Sequence, residues 1–131
     1  MASTISAPVS IDELRAAIKL TPTTSVPGPS GLSYAMMKEW STEVLEVAHE
    51  TLTQIWETST IPDWWQWKWI CPIPKVAPEL ATLDDLRPIA LLETTRKLWM
   101  GIIVGRITAL WERESALCDG QYGFRRGRST D

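Results

Sequence analysis

Apolar residues recur along this chain at two different spacings, and the switches between them divide it into elements. Val44, Leu45, Ala48, Leu52, Ile55 and Trp56 step by three and four, the period that gathers side chains on one face of a helix. A helix is therefore predicted from about Ser41 to Ser59, with Glu43, Glu46, Glu50 and Glu57 largely on its other sides. Leu98, Trp99, Ile102, Ile103, Ile107, Leu110 and Trp111 repeat in the same way and predict a long helix from about Thr94 to Arg113. Gly101 and Gly105 interrupt it; each is less favourable in a helix than alanine by about 1 kcal/mol, so close packing is expected against them. Between these helices the period becomes two. Trp65, Trp67, Trp69, Cys71 and Ile73 alternate with other residues, which predicts a strand. Pro72 and Pro74 have no N–H to give a ladder, so that strand lies at a sheet edge or ends there. A loop from Val76 to about Asp85 leads to a second extended run, Leu86 to Leu92.

Local signals fill in the rest. Ser10 and Glu13 fit a capping box, in which each side chain satisfies the other residue's free backbone N–H, and a helix to about Leu20 follows. Residues 21–31, rich in proline and glycine, hold a turn-filled loop, and a short helix is expected from Leu32 to Trp40. The chain closes with a turn at Asp119-Gly120 and a strand-like end rich in arginine. The order implies an α+β fold: helices around a small antiparallel β element whose exposed faces require a neighbour.

Composition narrows the function classes. The 131 residues, 44% hydrophobic and 22% charged, suit one compact unit with a buried core. A net charge of −3 disfavours a free-standing nucleic-acid binder. That average hides a gradient: residues 1–63 carry three basic side chains against eight acids, and residues 64–131 carry ten against eight. Cys71 and Cys118 match no metal-ligand spacing and read as reduced intracellular thiols. No secretory leader or membrane span is visible, so an intracellular, non-secreted protein is expected, nuclear or cytoplasmic. His49 stands alone on an acidic helix and reads as a surface residue. A hydrolase built on Ser30 or His49 has no base or orienting group at suitable spacing. The tryptophans 64, 65, 67 and 69 are expected to pack in the core, because alternating aromatics suit a half-buried strand.

Three clusters remain once the helices are set aside: Val26-Pro-Gly-Pro-Ser-Gly31, Ile73-Pro-Lys75 with Arg87-Pro-Ile-Ala-Leu-Leu92, and Gln121-Tyr-Gly-Phe-Arg-Arg-Gly-Arg-Ser-Thr-Asp131. In this order they resemble the fingers of reverse transcriptases from non-LTR retrotransposons and group II introns. Those proteins show Pro-Gly-Pro-Asp-Gly, then Ile-Pro-Lys, then Arg-Pro-Ile-Ser-Leu-Leu before a long helix, then Gln-Phe-Gly-Phe-Arg. The resemblance covers nearly all of residues 26–131. It implies residues 1–20 as an N-terminal extension and 21–131 as a partial reverse transcriptase domain, the fingers subdomain of a right-hand polymerase without its palm. Ser30 stands where the family often has aspartate, and Ser25 where lysine is frequent, so the first loop is read as structural.

The chemistry agrees with that reading. Two cations at the adjoining ends of a strand hairpin can neutralise a triphosphate without base preference, and the resemblance gives Lys75 and Arg87 this role. The bland alternative pairs Arg87 with Asp84 or Asp85 in a solvated loop. Gly123, Phe124, Arg125 and Arg128 match a segment along the template path, where aromatics and guanidinium groups suit stacking and phosphate contact; the alternative packs Phe124 and Tyr122 in the core and leaves the arginines solvated. Asp84-Asp85 precedes Arg-Pro-Ile and lacks the preceding aromatic of a polymerase aspartate pair, so it reads as loop or cap chemistry.

Two-metal polymerisation needs carboxylates that clamp both ions. By resemblance these lie in the palm, downstream of Asp131. The chain is thus expected to hold no catalytic residue, metal or cofactor, with Mg²⁺, dNTP and an RNA or DNA template-primer belonging to a full-length enzyme that also supplies palm and thumb. No membrane partner is expected. The 131 residues alone are expected not to extend a primer on an RNA template in Mg²⁺, a direct assay of the assignment. A reading of a different class is a stand-alone protein-interaction module using the Trp-rich and acidic surfaces.

Overall fold

The apolar stripes become the helices that carry the core. In the computed structural model, which describes residues 3–129, helices α1 (Ser3–Ser6), α2 (Ile11–Leu20), α3 (Tyr34–Lys38), α4 (Thr42–Thr58) and α5 (Thr94–Arg113) accompany strands β1 (Lys68–Pro74) and β2 (Leu86–Leu92). This is a mixed α+β fold with one two-stranded antiparallel sheet. Asp131 lies outside the described residues.

Serine hydroxyls start three of the helices. Ser10, Ser33 and Ser41 each accept from the backbone N–H three residues on, at 3.2, 3.2 and 3.4 Å, satisfying one donor that the helix itself cannot. The expected capping box forms, the Ser10 N–H also holding the Glu13 carboxylate, and the same carboxylate accepts from Arg106 of α5, with Nε to Oε1 at 2.8 Å and Nη2 to Oε2 at 2.5 Å. The same guanidinium donates to the carbonyls of Ile5, Ala7 and Pro8 and lies over the Trp56 ring. It thereby ties the first turn of α2 and the segment before it to α5.

The core is formed by Val9, Leu14 and Ile18, by Tyr34 and Met37 of α3, by Leu45, Leu52 and Ile55 of α4, and by Trp65, Leu98, Trp99 and Ile102. Residues before position 21 thus share one core with the rest. Trp56 and Trp99 meet edge to face at 5.7 Å, the arrangement that ring quadrupoles favour. Burial on α5 is confined to its first half, and Trp111 is exposed.

The structure corrects four expectations. Of the tryptophans at 64, 65, 67 and 69, only Trp65 is buried. Residues 63–66 form a 3-10 turn rather than strand, and that turn sends Trp65 inward, where its Nε1 donates to Thr95 Oγ1 at 2.9 Å. In the extended run that follows, Trp67 and Trp69 stay in solvent, uncovered by the described residues. His49 is half-buried, with Nε2 2.7 Å from the Val9 carbonyl. The segment after α5 contains turns rather than strand.

The fourth correction concerns Gly101 and Gly105: a methyl added at either would meet nothing within 4 Å. Both face an open groove of about 370 Å³ between α2 and α5. Gly101→Ala is therefore expected to raise stability, by roughly 0.5–1 kcal/mol from helix propensity alone, read as a higher urea midpoint. A lower midpoint would mean that a neighbour touches this face.

Candidate nucleic-acid interface

The β1–β2 ribbon stands out from the helical body with both faces largely exposed. Its register pairs Trp69 with Leu91, Cys71 with Ile89, and Ile73 with Arg87, and the Lys75 N–H continues the ladder onto the Asp85 carbonyl at 2.8 Å. In an antiparallel pair, hydrogen-bonded positions alternate with positions whose N–H and C=O point outward. Lys75 and Asp85 are bonded, so Ile73, Cys71 and Trp69 are the bonded positions of β1, and positions 72, 74 and 88 point outward. All three are prolines. The ladder loses no donor to them, while both outer edges lose donors that an added strand would need.

The same alternation fixes which side chains share a face. Trp69, Cys71, Ile73 and Lys75 lie with Leu91, Ile89, Arg87 and Asp85. Lys75, one residue past the end of β1, continues that parity and stands diagonal to Arg87, a relation that sets such neighbours roughly 7–8 Å apart. Lys75 Nζ donates to the Asp84 carbonyl at 3.1 Å. Arg87 makes no hydrogen bond or ion pair with the described residues. Of the carboxylates that might have engaged it, Asp84 forms no ion pair with it, and Asp85 accepts from the Thr82 N–H and hydroxyl at 3.0 and 2.7 Å, which holds its carboxyl below the ordinary value. Asp84-Asp85 is thus turn chemistry, as its sequence context indicates.

The arginine-rich segment is arranged less simply. Arg125 grips Glu112 with two bonds of 2.7 Å and also donates to the Cys118 and Gln121 carbonyls. Its side chain is 8% exposed, and it holds the Glu112 carboxyl below the usual carboxylate range. Arg128 lies over the Tyr122 ring and donates to the Asp119 carbonyl at 3.1 Å. Phe124, in contrast, is 107% exposed at φ 62°, a conformation unfavourable for a bulky side chain. The alternative in which Phe124 packs in the core and the arginines are solvated is therefore not what the structure holds: Phe124 is exposed and Arg125 is engaged. Gly123 accepts from Gln121 Nε2 at 3.1 Å. Arg126, not singled out from the sequence, is the guanidinium of this segment without a hydrogen bond or ion pair to the described residues. It lines the groove beside Tyr34 and Lys97. Nothing in Arg-Arg-Gly-Arg separates these three; the positions of Glu112 and Asp119 do.

The Pro-Gly-Pro-Ser-Gly loop is fastened to the start of α5. Ser30 donates to the Glu93 carboxylate through its N–H at 2.8 Å and its hydroxyl at 2.6 Å, and Lys97 Nζ donates to the Val26 carbonyl at 3.0 Å. Burial holds the Lys97 ammonium below its ordinary pKa, with Glu93 opposing the shift. Since β2 runs directly into Glu93, the loop anchors the base of the ribbon that carries Arg87.

No family model matches the chain. In sequence it is 28% identical over 123 residues to a probable RNA-directed DNA polymerase from transposon BS of Drosophila melanogaster. The match covers 94% of this chain and 14% of that protein. The chain is thus distantly related to a transposon reverse transcriptase and spans about one seventh of its length.

Proposed function

We propose that this chain is the fingers region of a retroelement reverse transcriptase and that its ribbon grips nucleotide and nucleic-acid phosphates. The observation that carries the reading is the register: Arg87, with no hydrogen bond or ion pair among the described residues, lies on the face that the parity of the hairpin continues to Lys75. Two cations so placed offer a charge-assisted site for an incoming triphosphate. The distant likeness to a transposon polymerase supports the same reading. Gly123, Phe124, Arg125 and Arg128 are proposed to follow the template, with Phe124 offering a ring for stacking. Arg125 and Arg128 would exchange Glu112 and Asp119 for phosphate. In the complete enzyme, Mg²⁺ and the palm carboxylates would supply the chemistry of transfer.

The test is fluorescence anisotropy of the full chain with single-stranded RNA, titrated between about 50 and 200 mM salt. Removing Lys75 and Arg87 together by alanine substitution is expected to weaken binding. It should also lower the slope of log K against log salt by about 1.4, roughly 0.7 per lost phosphate contact on a single strand. Arg125→Ala with Arg128→Ala is expected to weaken binding in the same sense. Indifference to both pairs would favour the second reading, a protein-interaction module, for which the exposure of Ile70, Ile73 and Ile89 on the ribbon speaks.

A further inference from the structure

Trp67 and Trp69 are exposed by 67% and 59%, although a buried indole is the largest apolar contribution a side chain can make. Neither indole N–H has a partner among the described residues, in contrast to that of Trp65. Trp69 belongs to the face that carries Arg87 and Lys75. Trp67 precedes it by two residues in extended backbone, with ψ 143°, so the alternation sets both rings in one row. Their spacing along the strand is about 6.6 Å, roughly twice the 3.4 Å rise of stacked bases. From Trp69 to the level of Arg87 is about 13 Å.

From this row we infer that Trp67 and Trp69 form a stacking platform for the bases of a single-stranded nucleic acid whose phosphates run on to Arg87 and Lys75. The inference rests on the phosphate-gripping reading above and extends it to a second part of the ligand. Charge favours this occupant: neither strand contains a carboxylate, Arg87 and the adjoining Lys75 are the cations of this face, and its one acid, Asp85, lies just outside β2 with its carboxylate held by the Thr82 N–H and hydroxyl. Edge chemistry weighs against a peptide adding as a third strand along β1, where Pro72 and Pro74 remove successive outward donors, and Pro88 interrupts the edge of β2 between those of Leu86 and Ala90. A ligand that docks by face, with π surfaces and negative charge, meets both conditions.

The experiment compares the full chain with Trp67→Ala plus Trp69→Ala, with Trp69→Phe, and with Arg87→Ala. Each binds fluorescein-labelled oligo(U) or an RNA duplex of equal length over a salt series. Circular dichroism and urea midpoints check that each variant keeps the fold, which is expected because both rings lie outside the core. The inference predicts that the double alanine variant loses affinity for oligo(U) by about 5- to 100-fold per stacked base with its salt slope unchanged. Duplex binding should stay as it was, and Trp69→Phe should recover most of the loss. Arg87→Ala should instead lower the slope. Unchanged oligo(U) affinity in the double variant overturns the platform while leaving the phosphate grip standing if Arg87→Ala still lowers the slope. Absence of oligo(U) binding by the unsubstituted chain overturns both. Self-association of that chain, abolished by the double variant, overturns the inference by making this face an interface between copies.

Discussion

Gly28→Ala is expected to lower stability by about 3 kcal/mol, seen as a drop of roughly 1–2 M in the urea midpoint. A methyl at position 28 would stand 2.5 Å from the Leu92 carbonyl oxygen, 2.6 Å from its carbon and 2.7 Å from the Glu93 nitrogen. All three are backbone atoms, so no rotamer change relieves the contact. Overpacking of this kind costs about 1–3 kcal/mol. The loop must also move away from Glu93, whose 2% exposed side chain would lose the Ser30 bonds, and a buried carboxylate without donors is heavily disfavoured. Gly31→Ala is the internal comparison. Gly31 has φ 75° and open space around it, so only the left-handed backbone resists substitution, at about 1 kcal/mol. If Gly31→Ala proved the more damaging of the two, the close approach of the loop to α5 would be refuted.

Arg106→Ala is expected to lower stability by about 2–3 kcal/mol. The guanidinium is largely buried and satisfies Glu13 and three backbone carbonyls at once. Removing one partner of a buried pair typically costs about 3–5 kcal/mol, reduced here because Glu13 keeps partial access to water. The pair also has a pH signature. Arg106 holds the Glu13 carboxyl below its ordinary value of 4.5, chiefly by hydrogen bonding, while burial opposes the shift. A carboxyl whose folded pKa is depressed contributes stability that is fully present above the unfolded pKa and is lost as pH falls through the folded one. Urea midpoints of the unsubstituted chain should therefore fall below about pH 4.5, and Arg106→Ala should remove the part of that fall due to Glu13. An unaltered acid-side profile in the variant would show that the pair does not stabilise the fold.

The sequence by itself determined helices α2 to α5 and the hairpin, though not the short α1. Periodicities of 3.6 and 2 are imposed by backbone geometry, and serine caps and prolines mark the boundaries of elements without reference to distant residues. Helix α5 and strand β2 fall where the pattern places them, and β1 and β2 pair as the antiparallel hairpin that the two extended runs imply. The Pro-Gly-Pro-Ser-Gly loop, too, is structural in the way its residue types indicated. What only the tertiary structure decided was which polar and aromatic groups have partners. Trp65 enters the core because a 3-10 turn redirects it, while Trp67 and Trp69, identical in kind, face water, uncovered by the described residues. Among the described residues Arg125 is engaged and Arg126 is not, because Glu112 of α5 meets the one and not the other. Gly28 has no room for a methyl and Gly101 has, because backbone crosses one and not the other. Periodicity records the direction a side chain takes from its own backbone; what stands in that direction is set by the packing of separate elements, which no local pattern encodes.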